Sequence, residues 1–317
     1  MLGLTNSFIS ASDNKFCPLV NKTLLIIGQD NKTIDEYISK IEIIPAGFML
    51  YTSIQDMDGL ESPSKDRGSG FFHANKLIAS YPNTVLQIGL YMVDGLKQTI
   101  NGEFDKNIER LSRWLKTINI PVYLRIGYEF DGLHNKYEPE EYKKAFVYVY
   151  DKLISANVKN VAFVWHANAS DLGSNIIDWF PGDQYVDWVG ISYFDQPEDC
   201  MMPVIHFARQ HKKPVMIAEA TPKGVGAYDQ LSWRAWYQLL FKFIRRNDIR
   251  MLSYINSNWE KQPMWANQGW EDARVEAYPF VKKHWINEIS KNNFLQQSDD
   301  LYSLIQYDSK NSQSDKN

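Results

Sequence analysis

Short, almost continuous apolar runs alternate along the chain with longer stretches whose apolar positions recur every three or four residues. The short runs are Leu24–Gly28, Gly47–Thr52, Val85–Leu90, Val122–Glu129, Val161–Trp165, Trp188–Tyr193, Val215–Glu219 and Met251–Ile255. Runs of this length and β-branched content predict strands buried on both faces, as in a parallel sheet. Helix period or helix start signals mark Thr33–Lys40, Gly70–Ser80, Phe104–Thr117, Pro139–Ser155, Met201–His211, Leu231–Arg246 and Ala273–Ile289. In Pro139–Ser155, Tyr142, Phe146, Val149, Tyr150 and Leu153 share one stripe while Glu140, Lys143 and Lys144 lie off it. Asn168–Gln184 breaks the alternation and predicts a loop with one short turn near Ser174–Trp179.

Eight alternating units predict a single-domain α/β fold, the (β/α)8 TIM barrel. A doubly wound open sheet would ordinarily have fewer strands and often a glycine-rich phosphate loop after the first. Here the first strand runs into Gly28-Gln29-Asp30, with no G-x-G-x-x-G. The predicted organisation is an N-terminal extension over residues 1–20, the barrel over 21–292 and a polar, mobile tail over 293–317.

Two of the strand runs end on a carboxylate, Glu129 and Glu219. Burying an unpaired carboxylate costs several kcal/mol, so acids at the mouths of two buried strands point to a site that uses them. Barrel sites lie at the C-terminal rim, and strands four and seven face each other across it. Alternation along the fourth strand puts Arg125, Gly127 and Glu129 on one face, with the guanidinium below. A lone Glu at a strand end is more often an ion-pair or capping residue. Two of them, with an Arg four residues before one, favour a pair of carboxylates in opposite protonation states, as glycosidic bond cleavage requires.

The net charge of -4 supplies no basic field for nucleic acid, and the longest apolar runs fall short of the ~20 residues of a membrane span. No Cys-x-x-Cys or His-x-x-x-His spacing offers a metal cluster, no cofactor is implied, and Cys17 and Cys200 read as ordinary thiols. Met1–Ser12 lacks the n-region and apolar stretch of a secretory signal. A secreted or periplasmic location is favoured where a leader has already been removed.

The motifs Arg125-Ile-Gly-Tyr-Glu129-Phe-Asp-Gly132, Val186-Asp-Trp-Val-Gly-Ile-Ser-Tyr193 and Lys213-Pro-Val-Met-Ile-Ala-Glu219 resemble those of the clan A glycoside hydrolases, most closely family 26, which includes endo-mannanases and related β-glycanases. The likeness runs from about Leu24 to about Trp285. It implies Glu129 as general acid/base and Glu219 as nucleophile, with retention of anomeric configuration. It further implies that Tyr193 donates a hydrogen bond to the nucleophile and that Arg125 orders the carboxylates. The family usually has His immediately before the acid/base, where this chain has Tyr128.

Aromatic residues make up 14% of the chain, with ten tryptophans, several in predicted loops. Sugar rings stack their C–H faces on indoles, so Trp165, Phe194, Trp259, Trp265 and Trp270 are candidate platforms for a polysaccharide or oligosaccharide. Gln29, His166, Asn168, Asp195 and Asn258 are candidate hydroxyl partners. His73 and His134 read as structural histidines at the rim. A non-catalytic sugar-binding barrel, and an inverting hydrolase pairing Glu129 with Asp131 or Asp195, remain the alternatives.

Overall fold

Each apolar run forms a strand, and the strands close on themselves. The computed structural model describes residues 14–170 and 175–308. Strands β1 (Thr23–Gly28), β2 (Gly47–Ser53), β3 (Val85–Tyr91), β4 (Val122–Ile126), β5 (Val161–Ala167), β6 (Trp188–Tyr193), β7 (Val215–Ala220) and β8 (Met251–Ile255) pair in parallel in sequence order, and β1 pairs with both β8 and β2. This is a closed (β/α)8 barrel. Its outer layer holds helices α1 (Asn31–Ile41), α2 (Ala74–Ser80), α3 (Leu96–Ile100), α4 (Asp105–Ile118), α5 (Pro139–Ser155), α6 (Glu198–Gln210), α7 (Gln230–Ser232), α8 (Gln238–Asn247) and α9 (Pro279–Ile289). A π-helical turn, Trp233–Tyr237, joins α7 to α8. Among its described residues, the expected break after β5 holds short 3₁₀ turns at Ile176–Trp179 and Asp183–Tyr185.

Alternation sorts the side chains into two cores. Leu24, Ile26, Met49, Val85, Tyr123, Ala162, Val164, Trp188, Met216 and Met251 fill the barrel interior. Leu25, Ile27, Phe48, Leu86, Leu124, Phe163, Trp165, Val189, Ile217 and Leu252 pack outward against the helices. Two irregularities at the mouth decide where the strand-end acids point. Between β6 and β7 the register slips so that Ile191 faces Ile217 but Ser192 faces Glu219, and the extra residue turns Glu219 inward although Ala218 already points in. β4 stops at Ile126, short of the expected Glu129.

The two ends of the described chain close the floor. Phe16 sets its ring edge-on to Tyr123 and Tyr307, Tyr123 Oη donates to the Phe16 carbonyl at 2.6 Å, and Trp188 Nε1 donates to the Lys15 carbonyl at 2.7 Å. β9 (Phe294–Leu295) pairs with β1, and α10 (Leu301–Leu304) buries Leu301 beside Ile305 and Tyr307. The expectation of a mobile tail from residue 293 is therefore corrected over 294–307, where apolar side chains spaced for a helical turn find the open end of the barrel. Residues 309–317 and most of the N-terminal extension, 1–13, lie outside the described residues. Cys17 and Cys200 are buried and form no disulfide.

Candidate active site

The two glutamates reach the barrel mouth by different routes. Glu219 sits on β7 itself, turned in by the register slip. Glu129 lies three residues past β4 in a left-handed conformation, with φ of 53°, after Gly127 at φ of 56°. Strand alternation therefore does not extend past Ile126 to Gly127 and Glu129, yet the carboxyl still arrives inside because the turn is pinned. Asn135 Nδ2 donates to the Tyr128 and Glu129 carbonyls at 3.0 and 2.9 Å, and the Phe130 N–H donates to the His166 carbonyl at 3.1 Å. A non-glycine residue at positive φ costs on the order of 1 kcal/mol, which these bonds offset.

Arg125 is wholly buried beneath the mouth. Its Nη1 donates to Glu219 Oε1 and lies 3.3 Å from His166 Nδ1. The guanidinium lies between the rings of Tyr51 and Tyr128, 5.1 Å from each centroid. Gly89 makes room for this stack, since a Cβ there would lie 2.9 Å from Arg125 Nη2 and 2.7 Å from Tyr51 Cδ1.

A continuous hydrogen-bonded chain joins the two carboxyls. Arg125 can only donate, so His166 Nδ1 accepts and its proton sits on Nε2. Nε2 then donates to Ser192 Oγ at 3.1 Å, and the Ser192 hydroxyl donates to Glu129 Oε1 at 2.6 Å. Burial and the Arg125 charge hold the His166 pKa well below its ordinary value, so the ring is neutral. Asn168 Nδ2 gives Glu129 Oε1 a second bond at 2.7 Å, and His134 Nε2 lies 3.1 Å from Glu129 Oε2.

These surroundings push the two acids apart. Burial raises Glu219 to about 7; Arg125 pulls the other way, and the Glu129 charge adds to the rise. Burial also opposes the charge on Glu129, but the bonds from His134 and Ser192 and the positive field around it outweigh this and hold it at about 2. With His166 neutral, the charge acting on Glu129 is that of His134. At rest this places the proton on Glu219 and the charge on Glu129. A double displacement through the pair therefore requires a proton to be delivered to the carboxyl that acts as acid.

The family model and the sequence relatives agree on where this chain belongs. The family model for glycosyl hydrolase family 26 matches residues 58–234, a span that includes both glutamates. The β-1,3-xylanase TXYA of a Vibrio species is 33% identical, covering 94% of this chain and 71% of its own length. The chain belongs to glycosyl hydrolase family 26. As a member of family 26 it is a glycoside hydrolase. A β-1,3-xylanase of an Alcaligenes species is 31% identical over 94% of this chain and 69% of its own. The family 26 β-mannanase of Bacteroides ovatus superposes with a TM-score of 0.65 at 15% identity, covering 89% of this chain and 93% of its own. GH26C of a Muricauda species gives 0.64 at 15% identity, over 90% of both chains. At that identity the likeness is one of fold.

Of the residues expected at the site, the structure gathers Glu129, Glu219, Arg125, His166 and Asn168. It turns Tyr193 and Trp165 away. Tyr193 was expected to bond Glu219, but Ser192 beside it points inward, so Tyr193 points out and packs on Trp236 and Phe243. The hydroxyl that acts on Glu219 belongs to Tyr51 on β2. Trp165 likewise alternates outward from His166 and stacks on Phe130 at 4.5 Å, a core role. Asn258 bonds Asp272 Oδ2 at 2.9 Å and ties down the loop after β8. Gln29 is buried at the end of β1. Trp259, Trp265 and Trp270 form one cluster with centroids 5.2 to 5.5 Å apart, anchored by Trp259 Nε1 on Thr221 and Trp265 Nε1 on the Gly68 carbonyl. Phe194 abuts Trp270, whose face carries Lys223 at 5.0 Å, and Lys223 pairs with Asp195 at 3.2 Å. Sequence reasoning missed Tyr51, Tyr128 and Ser192 as site residues, and placed His134 in a structural role. Strand parity pointed to Ser192; nothing local marks His134. No group of three or more potential metal ligands occurs among the described residues, and none of their helices is long and apolar enough to cross a membrane.

Proposed function

We propose that this family 26 enzyme is a retaining endo-β-1,3-xylanase in which Glu219 attacks the anomeric carbon and Glu129 is the acid/base. The carrying observation is the chain Glu219–Arg125–His166–Ser192–Glu129, which fixes both buried carboxyls in one barrel mouth. Arg125 holds Glu219 Oε1, so Oε2 is the oxygen free of the guanidinium. Its bond to C1 forms as the glycosidic C–O bond breaks and Glu129 Oε2 gives its proton to the departing oxygen. Glu129 then takes a proton from water, whose oxygen displaces Glu219 with a second inversion.

The alternatives fare worse. An inverting partner would need a free base, yet Asp131 accepts from the Asn168 and Ala169 N–H groups at 2.5 and 3.2 Å, and Asp195 is paired with Lys223. A pure binding barrel has no use for a buried arginine bonded to one acid and linked through His166 and Ser192 to the other. The sugar reading rests on the two β-1,3-xylanase relatives. Assaying β-1,3-xylan, β-1,4-xylan and β-mannan side by side tests it, with turnover expected on the first; turnover on mannan alone would overturn it. Glu219→Gln is expected to lose at least about 10³-fold in kcat on any of them while still binding.

A further inference from the structure

Glu129 uses its two oxygens unequally. Oε1 takes both inward donors, Asn168 Nδ2 and Ser192 Oγ, at 2.7 and 2.6 Å. Oε2 is faced by the imidazole of His134, whose Nε2 is 3.1 Å away. An oxygen already met by two donor hydrogens cannot also carry a proton outward, so the transferable proton belongs on Oε2. His134 therefore stands where the leaving group must arrive. Its side chain is 58% exposed while that of Glu129 is 8% exposed, so the ring is the layer between a buried carboxyl and solvent. Gly132 leaves the space the ring occupies, since a Cβ there would lie 2.6 Å from His134 Cε1. Next to it Leu133 is almost fully exposed on the same turn.

The arrangement answers a difficulty in the acid step. When Glu219 is ionised and able to attack, Glu129 taken alone has already lost the proton it must give. Resting on the assignment of Glu129 as acid/base, we propose that His134 is the proton gate of that carboxyl, passing Nε2–H to Oε2 as the leaving oxygen comes into place. The Nε2–H bond breaks and the Oε2–H bond forms, leaving a neutral imidazole. Oε2–H then breaks as the glycosidic oxygen takes the proton, together with the electron pair of its C1–O bond. In the second half-reaction the attacking water gives its proton to Oε2, and that proton returns to Nε2 to close the cycle. The charged groups facing His134 are Glu129 and Asp131 from its own segment and Glu219 from β7. The bond to Glu129 raises the imidazole pKa above its ordinary value, against the effect of partial burial, and the two other acids add to the rise.

Leaving-group dependence separates a gate from a structural side chain. The full chain and its His134→Gln and His134→Asn variants are assayed on the oligosaccharide of the polysaccharide it hydrolyses, and on a dinitrophenyl glycoside of the same sugar, whose leaving group needs no acid. Both variants are expected to lose about 10- to 100-fold in kcat/KM on the oligosaccharide, part of the roughly 10²- to 10⁴-fold a general acid supplies. On the aryl glycoside they should keep activity within about threefold, with the alkaline limb on the oligosaccharide moved to lower pH. Equal losses on both substrates, or none on either, would overturn the gate. Glu129→Ala in parallel tells the two failures apart: if it too loses both substrates equally, the acid/base assignment falls, and if it spares only the aryl glycoside, the gate stands or falls on His134.

Discussion

At the residue scale the site is a problem of placing few protons among several buried groups. Glu219 at about 7 must be ionised to attack, so kcat/KM is expected to rise as pH increases through about 7. Tyr51, whose ring lies on the Arg125 guanidinium, lowers the Glu219 pKa through its hydroxyl. Removing it in Tyr51→Phe raises that pKa, and the acid limb of the pH profile should move to higher pH by up to about one unit. A limb that stays put or moves down would remove Tyr51 from the nucleophile's surroundings. Much of this scale was legible in the sequence: both glutamates ended apolar runs, and Arg125 stood four residues before one of them. Tyr193 and Trp165 were misplaced for a readable reason, since each adjoins a residue of opposite parity, Ser192 or His166, that faces the interior. His134 was not legible, because its meeting with Glu129 depends on a turn at positive φ and not on any period.

Among the elements, β4 and β7 deliver their acids by departing from regularity. Strict alternation from Met216 and Ala218 would have sent Glu219 outward; the bulge reverses it. No sequence period announces a bulge, so the correct placement of Glu219 from strand-end position alone lacked this step. On β4 the strand ends early and the turn that carries Glu129 is held largely by Asn135. Asn135→Ala removes the side-chain donor from the Tyr128 carbonyl and leaves the Glu129 carbonyl only the Gly132 N–H. It is expected to cost about 1–3 kcal/mol, read as a lower Tm, and to reduce kcat more than it raises KM. Wild-type kcat in a destabilised variant would mean that the turn keeps its shape without the clamp.

The whole molecule is a barrel whose mouth holds the acids and whose floor is sealed by segments from both sides of the barrel. Eight units, their order and seven of the helical segments were legible because buried parallel strands and amphipathic helices write different periods. The floor was not, because the polar residues between Leu295, Leu301, Ile305 and Tyr307 mask an apolar set that gains meaning only against Phe16 and Leu24. Truncation after Asn293 should lower Tm by about 5 °C or more, with KM unchanged in the folded fraction. An unaltered Tm would show that the floor does not need this segment. The central claim is that Glu219 forms a bond to sugar while Glu129 handles the proton. Its most direct test is peptide mass spectrometry of the enzyme inactivated with a 2-deoxy-2-fluoro glycosyl fluoride of the hydrolysed sugar, which slows release of the covalent intermediate. One added glycosyl mass is predicted on the peptide containing Glu219. A label on another residue, or turnover with inversion and no label, would contradict it.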